Sequence, residues 1–87
     1  MPTYAVEFTK SARKEIKKLD SKSALRIITA IDKLAKNPRK GNVRPMVGSK
    51  SWRLRAGTYR VIYDIHDKKL IVLIVRVRHR GEIYKGL

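Results

Sequence analysis

A run of six consecutive aliphatic residues, from Leu70 to Val75, restricts the fold of this chain more than any other feature. Because the run is apolar at odd and even positions alike, it predicts a strand in the middle of a sheet, covered on both faces. It is far too short to span a bilayer. The chain has 87 residues, which predicts a single domain, residues 1–87, so the elements that cover this strand come from the same small chain.

Upstream of the run, the pattern predicts one strand and two helices. Alternating apolar residues at positions 4, 6 and 8 are typical of a half-buried strand. A short helix over residues 12–19 follows, and then a longer one over residues 24–35, which Asn37-Pro38 ends. Residues 39–50 are basic and contain glycine and proline, so they are predicted to form a loop.

Three strands are predicted after this loop, at Ser51–Arg55, Thr58–Ile65 and Lys69–Val77. The sequence therefore predicts an α+β fold with the order β-α-α-β-β-β. In this fold an N-terminal strand leads into an antiparallel two-helix hairpin, three antiparallel strands follow, and the helices pack on one face of the sheet.

Lysine and arginine exceed aspartate and glutamate by 22 to 7, which gives a formal net charge of +15. Such an excess favours a polyanionic partner, because binding releases the counterions of that partner. Nucleic acid is the first interpretation and an acidic protein the second. The N-terminus does not resemble a secretion signal, so we expect a soluble cytoplasmic protein with no membrane association.

The sequence offers few groups for metal chemistry. There are no cysteines, and His66 and His79 lack further ligands at metal-binding spacing. Only Asp64 and Asp67 are carboxylates close in sequence, which disfavours a two-metal site and paired-carboxylate hydrolysis. We therefore expect no metal and no cofactor, and we expect any reaction on phosphate to be metal-free.

Arginines alternate with apolar residues along the predicted strands. The second strand places Arg53 opposite its apolar face, and the third strand does the same with Arg60. If the apolar faces meet the helices, both arginines point outward, and Arg78 and Arg80 leave the end of the fourth strand near them. The sequence thus predicts a basic, concave sheet face.

Such a face suits a phosphodiester, because the forked donors of guanidinium groups match phosphate oxygens. RNA can be cleaved without a metal when its 2′-hydroxyl attacks the adjacent phosphorus. The protein must then supply a base, an acid and cations for the transition state. DNA lacks the 2′-hydroxyl, so this chemistry selects RNA.

Two motifs flank the apolar run: Trp52-Arg53-Leu54-Arg55-x-Gly57-x-Tyr59-Arg60-Val61-Ile62-Tyr63 and Val77-x-His79-Arg80-x-Glu82-Ile83-Tyr84. Together with the helical hairpin and the Arg44-Pro45-x-x-Gly48 segment, they resemble the RelE/ParE toxin superfamily over essentially the whole chain. The resemblance implies a toxin of a type II toxin–antitoxin pair. In the RelE branch, such a toxin cleaves messenger RNA in the ribosomal A site and inhibits translation.

The resemblance also implies partners and residue roles. The partners are an acidic RelB-like antitoxin that wraps around the sheet and helices, the 70S ribosome with its mRNA, and operator DNA bound only by the toxin–antitoxin complex. Arg53 and Arg60 would hold the scissile phosphate and its developing charge. Arg80 would assist the leaving group as an acid or an electrostatic clamp, and Tyr84 would orient the messenger base or stack on it.

The proton acceptor stays open at this point. Relatives that keep two lysines on the second strand have one where this chain has Ser51 and another where it has Arg53. An arginine holds its proton too tightly to act as a base. Because histidine titrates near neutral pH, His79 is the candidate base, and the alternative is that it packs at the strand end.

Further basic residues are candidates for contacts with RNA or the ribosome: Lys14, Lys17, Lys18, Lys50, Arg55 and Arg78. For Arg55 and the helix lysines, a solvated surface is the alternative interpretation. Two other functions also stay open. One is a ParE-like inhibitor of DNA gyrase, which binds without cutting, and the other is a noncatalytic RNA-binding module.

Overall fold

The structure, a computed structural model, describes residues 3–79. Within this range a strand is followed by two helices and four further strands. The elements are β1 (Ala5–Phe8), α1 (Lys10–Lys17), α2 (Ser21–Lys36), β2 (Val43–Pro45), β3 (Trp52–Ala56), β4 (Tyr59–His66) and β5 (Ile71–His79). The predicted α+β fold with its helices on one face is confirmed, with one strand more than the sequence indicated.

The five strands form one sheet in the order β1-β5-β4-β3-β2. Strand β5, which carries the long apolar run, lies between β1 and β4, and its interior position in the sheet confirms the prediction. It pairs antiparallel with β4 and parallel with β1. The parallel pair agrees with the long connection between β1 and β5, because a tight turn cannot join parallel neighbours.

The core lies between the helices and one face of the sheet. Ile27, Ile31 and Leu34 of α2 are buried there together with Val61 and Tyr63 of β4. These are the apolar positions that the helical and strand periodicities single out. None of the helices in the described range is long and apolar enough to span a membrane.

Within residues 3–79 no helix packs on the other face of β5, which we call the open face, and the prediction that this strand is covered on both faces was wrong for this part of the chain. Val72 and Ile74 are completely buried, whereas Ile71 and Leu73, which alternate with them, are only half-buried. The helices of residues 3–79 pack on the opposite face. An aliphatic run shows what a strand can bury, and it does not require both faces to be covered.

Both helices begin at side chains that satisfy free backbone N–H groups. The Oγ1 atom of Thr9 accepts a hydrogen bond from the N–H of Ala12 at 3.1 Å, and Oδ2 of Asp20 accepts one from Ser23 at 3.2 Å. The bonds from Ser23 lower the pKa of Asp20 because they stabilise its charged form. Thr9 also donates to the carbonyl of Val75 at 2.7 Å, which ties the start of α1 to β5.

The segment predicted as a loop, residues 39–50, contains the edge strand β2. Arg44 of this strand lies opposite Arg53, and Pro45 lies opposite Trp52. Three residues are too few for alternation to be visible, and a proline argues against a strand. Both features are tolerated here because the strand lies at the edge of the sheet.

The connection between α2 and β2 is fixed to the sheet by two sets of hydrogen bonds. The hydroxyl of buried Tyr63 donates to the carbonyl of Pro38 at 2.6 Å, and burial raises the pKa of this tyrosine. The guanidinium of Arg39 donates to both carboxylate oxygens of Asp67, at 3.1 and 2.8 Å, and the hydroxyl of Tyr4 donates to the same carboxylate at 2.7 Å. These bonds fix the start of the segment that leads to β2.

Candidate functional site

Two rows of side chains cross the open face of the sheet, and most of them are arginines. In the first row, Arg44 of β2 lies opposite Arg53 of β3, which lies opposite Ile62 of β4. Residues that oppose each other in this way share a face, with Cβ atoms about 4.5–5.5 Å apart. The row thus places two guanidinium groups side by side on neighbouring strands.

The second row lies two residues further along the strands. Arg55 of β3 lies opposite Arg60 of β4, and Arg60 lies opposite Arg78 of β5. Arg53 and Arg60 are therefore diagonal neighbours, a relation that separates Cα atoms by about 7–8 Å. The predicted convergence of these two arginines on one sheet face is present in the structure.

A β-bulge in β5 puts Arg78 into this row. Arg76 lies opposite Ile62, but the next residue of β4, Tyr63, lies opposite Ile74, so β5 carries one extra residue, Val75. An extra residue reverses the faces of all the positions that follow it. Without this bulge, the alternation that starts in the apolar run would turn Arg78 towards the helices.

The arginines line a cleft of about 390 Å³ between β2, β3, β4 and the segment before β2. Most of its lining residues are arginines, and no acidic residue is among them: Gly41, Asn42, Val43, Arg44, Arg53, Arg55 and Arg60. A concave site lined by charges of one sign focuses its field and attracts a compact anion.

Arg60 is the most buried of these side chains. It is only 5% exposed, and its Nη1 atom donates to the carbonyl of Tyr59 at 3.1 Å and to that of Gly57 at 3.4 Å. A guanidinium has five N–H donors, so these bonds leave others for a ligand. The position of this cation is therefore set by the backbone before any substrate arrives.

The turn between β3 and β4 supplies one of those carbonyls, that of Gly57, and lies next to Arg26 of α2. Gly57 has a φ of 62°, in the left-handed region that favours glycine. A Cβ atom at this position would lie 2.9 Å from Nη1 and 3.3 Å from Cδ of Arg26, which belongs to α2. The turn thus passes between Arg26 on one side and Arg60 on the other.

Glu15 of α1 binds the two arginines of β5. Its carboxylate accepts hydrogen bonds from the backbone N–H of Val77 at 2.8 Å and from Nη2 of Arg76 at 3.2 Å, and it forms a salt bridge with Nε of Arg78 at 3.1 Å. Arg78, a predicted RNA contact, therefore lies in the second arginine row but is paired with Glu15 of α1. It is not among the residues that line the cleft.

His79 lies on the face that carries the helices, away from the cleft. It is opposite Tyr59, and their rings meet edge to face with centroids 5.5 Å apart. Tyr59 shares its face with Val61, since residues two apart on a strand point the same way. The structure therefore does not bring the candidate base His79 to the arginines. After the bulge in β5, Arg78 lies on the arginine face, so the next residue, His79, lies on the face that carries the helices.

Of the remaining predicted site residues, Arg80 and Tyr84 lie outside the described residues. Lys50 is exposed in the segment before β3, and the α1 lysines Lys14, Lys17 and Lys18 are exposed on the helix side. No group of three acidic or histidine side chains suited to holding a metal occurs within residues 3–79.

Sequence reasoning missed two features of this face. Arg44 belongs to the cleft, but it lies in a segment predicted as loop. In addition, Ser51 donates a hydrogen bond to Asp64 at 2.5 Å. Side chains two residues apart on a strand share a face, so Ser51, two residues before Arg53, could have been placed on the arginine face from the sequence.

The family model for the ParE toxin of type II toxin–antitoxin systems, parDE, matches residues 6–84. The chain belongs to this toxin family. Its place in the RelE/ParE toxin superfamily, inferred from the sequence motifs, is confirmed.

Related proteins narrow the comparison to RelE-like toxins. Toxin RelG of Mycobacterium tuberculosis is 34% identical over 84 residues, which cover 94% of this chain and 97% of RelG. The mRNA interferase toxin RelE of Escherichia coli is 29% identical over 85 residues, covering 93% of this toxin and 90% of RelE. The toxin is thus a RelE-like member of a toxin–antitoxin system.

Solved structures agree with this assignment. The toxin–antitoxin complex RelBE2 from Mycobacterium tuberculosis contains a chain that superposes with a TM-score of 0.81 at 32% identity, covering 90% of this toxin and 99% of that chain. The archaeal RelE–RelB complex from Pyrococcus horikoshii gives a TM-score of 0.79 at 29% identity, covering 91% and 97%. Both similarities extend over nearly the full length of the two chains compared.

Proposed function

We propose that this toxin is a metal-independent endoribonuclease, an mRNA interferase that cleaves messenger RNA in the ribosomal A site and so inhibits translation. The observation that carries the proposal is the cleft in which Arg44, Arg53, Arg55 and Arg60 surround one space of about 390 Å³. The name of its relative RelE from Escherichia coli, mRNA interferase toxin, supports the same activity.

The chemistry proposed for the cleft is attack of a 2′-hydroxyl on the adjacent phosphorus. Arg53 and Arg60 hold the scissile phosphate and stabilise the negative charge that grows on its oxygens. Because Arg60 is already fixed by backbone carbonyls, little reorganisation is needed when this charge develops. Arg80 assists the departing 5′-oxygen, and Tyr84 orients the messenger base.

The decisive experiment measures single-turnover cleavage of a messenger on programmed ribosomes by purified variants. We expect Arg60→Ala to lower the cleavage rate about 100- to 1,000-fold, as loss of one transition-state donor does elsewhere. Arg53→Ala serves as a second variant because Arg53 is less buried than Arg60. Arg13→Ala removes the same charge from the exposed surface of α1 and should cleave like wild type. Equal loss in all three variants would contradict the proposal.

A substrate change tests the proposed reaction independently of the protein. A messenger with one 2′-deoxynucleotide on the 5′ side of the cleavage point should bind but remain uncut, because the attacking group is missing. The normal messenger should yield a 2′,3′-cyclic phosphate end. A 3′-hydroxyl end, or cleavage of the deoxy substrate, would show that water and not the 2′-hydroxyl attacks.

Inhibition of DNA gyrase is the second candidate function, favoured by the match to the ParE family model. It makes a different prediction for cells that express the toxin. Growth arrest with DNA damage and intact messages would support gyrase inhibition, whereas cuts within translated codons support the ribonuclease. The four arginines that share one cleft favour the ribonuclease, since a binding inhibitor has no need to surround a single phosphate.

The proposed partner that neutralises the toxin is an acidic RelB-like antitoxin. Two observations support it: the net charge of +15, and similarity to toxins solved in RelB–RelE complexes. A second cleft, on α2, combines the exposed Leu25 with Lys22, Arg26 and Lys33. An amphipathic acidic segment suits this surface. We place the toxin in the cytoplasm with the ribosome, and operator DNA binds only the toxin–antitoxin complex.

A further inference from the structure

A hydrogen-bonded serine and aspartate lie beside the arginine cleft. The hydroxyl of Ser51 donates to Oδ1 of Asp64 at 2.5 Å, and both residues are half-buried. Asp64 lies opposite Leu73 of β5 and follows Tyr63, which is completely buried in the core. Its side chain is therefore on the open face of the sheet, the same face as the arginines.

The distance from this pair to the cleft follows from strand geometry. Ser51 precedes Arg53 by two residues, which is about 7 Å along an extended strand. Asp64 follows Ile62 by two residues, and Ile62 lies opposite Arg53. Asp64 and Arg53 are therefore diagonal neighbours, a separation that long side chains and a bound nucleotide can bridge.

The proposed reaction requires a proton acceptor that the cleft itself does not contain. Guanidinium groups hold their protons at any physiological pH, and the other lining residues carry no basic side chain. Among the described residues of the open face, Glu7 lies on β1, separated from Asp64 by Leu73, and His66 lies two residues further from the arginines along β4. Of these three residues, Asp64 lies nearest to Arg53 by strand register.

We propose that Asp64, oriented by the hydroxyl of Ser51, is the catalytic base that takes the proton of the attacking 2′-hydroxyl. This inference rests on the proposed ribonuclease function. The O2′–H bond breaks and its proton passes to the Asp64 carboxylate, while O2′ forms a bond to phosphorus. The P–O5′ bond then breaks, the 5′-oxygen leaves with the electron pair and takes a proton from water, and Asp64 returns its proton to solvent.

The charged groups that face Asp64 define its surroundings. Arg53 of β3 and Arg76 of β5 both lie opposite Ile62, two residues from Asp64 towards the cleft. His66 lies two residues away in the other direction along β4, and Glu7 of β1 lies beyond Leu73. Arg76 is bonded to Glu15, so its charge is partly offset. As a general base, Asp64 takes the proton in the transition state, as the bond between O2′ and phosphorus forms.

The test is single-turnover cleavage on programmed ribosomes by Asp64→Asn. Asparagine has the same shape, and its amide oxygen can still accept the bond from Ser51, so the fold is kept while the base is lost. We expect the cleavage rate to fall at least about 100-fold, with ribosome affinity unchanged. Glu7→Gln is the matched control on the same sheet face and should cleave like wild type. Ser51→Ala should lose less activity than Asp64→Asn.

A modified messenger separates a base from an acid. When sulfur replaces the bridging 5′-oxygen, the leaving group needs no proton, so a variant that lacks only an acid recovers its rate. The slow cleavage by Asp64→Asn should persist on this substrate, and recovery would overturn the inference.

The remaining outcomes distinguish this inference from the function on which it rests. If wild type cleaves and Asp64→Asn cleaves within about threefold of it, the base is elsewhere and the ribonuclease proposal stands. A loss of ribosome affinity that accounts for the whole defect would make Asp64 a binding residue and overturn the inference. If wild type does not cleave at all, both proposals are wrong.

Discussion

Arg60 owes its position to the backbone around it, and Gly57 is the residue on which that backbone depends. The φ of 62° at Gly57 lets the turn present its carbonyl to the guanidinium of Arg60. On the other side of the turn, Arg26 fills the space where a Cβ atom would lie. The conformation of the turn thus favours glycine, and the exposed side chain of Arg26 must also shift to admit a Cβ atom.

Gly57→Ala should lower the free energy of unfolding by about 1–2 kcal/mol from the left-handed conformation alone, with an added cost from the contact with Arg26. Urea denaturation measures the change. In an Arg26→Ala background, the added cost should disappear and the conformational cost should remain. Gly48→Ala is the control, because Gly48 also has a positive φ, of 80°, but nothing lies within 4 Å of its Cβ position. Equal destabilisation at both glycines would contradict the role of Arg26.

Helix α2 combines a buried and an accessible surface in one element. Ile27, Ile31 and Leu34 face the sheet, while Leu25 is 68% exposed beside basic residues. Leu25 lines the cleft on α2 together with Ala30 and Ala56, and apolar patches with a polar rim mark interaction sites. The helix therefore stabilises the fold with one face and, in our proposal, holds the antitoxin with the other.

Leu25→Glu should weaken binding of the antitoxin by about tenfold or more, because an apolar contact is lost and an acidic partner is repelled. Folding should be unaffected, since the side chain is exposed. Ser21→Glu adds the same charge at the start of α2, outside the cleft, and serves as the control. Antitoxin titration followed by calorimetry measures both. An unchanged dissociation constant for Leu25→Glu would place the antitoxin on another surface.

At the scale of the whole molecule, the cluster of Tyr4, Arg39 and Asp67 joins parts of the chain that are distant in sequence. It connects the start of the chain, the segment after α2 and the turn between β4 and β5. The hydrogen bonds from Arg39, with a smaller contribution from Tyr4, lower the pKa of Asp67 below its ordinary value of 3.8. The lowered pKa indicates that the folded protein stabilises the charged form.

This cluster predicts a dependence of stability on pH. A carboxyl group with a lowered pKa in the folded state contributes its full stabilisation above its ordinary value of 3.8 and loses it as the pH falls through the lowered pKa. Wild type should therefore be more stable than Asp67→Asn at neutral pH, and the difference should shrink to nothing in strong acid. The effect should be small because both side chains are about half exposed. Thermal unfolding midpoints across the acidic range measure it, and a constant difference would contradict the pKa argument.

The sequence by itself determined the layered fold, the helical hairpin and the face on which Arg53 and Arg60 lie. These properties follow from local periodicity, because side chains repeat every two residues along a strand and about every 3.6 along a helix. The interior position of the apolar strand belongs here too. The family also followed from the sequence, since its motifs are read in order along the chain.

Only the tertiary structure decided which side chains meet across strands. The bulge at Val75 reverses the faces that follow it, so Arg78 joins the arginine face and His79 does not. The pair of Ser51 and Asp64 is likewise formed by residues 13 positions apart. Such contacts depend on strand register and on a single extra residue, and no local pattern records either of them.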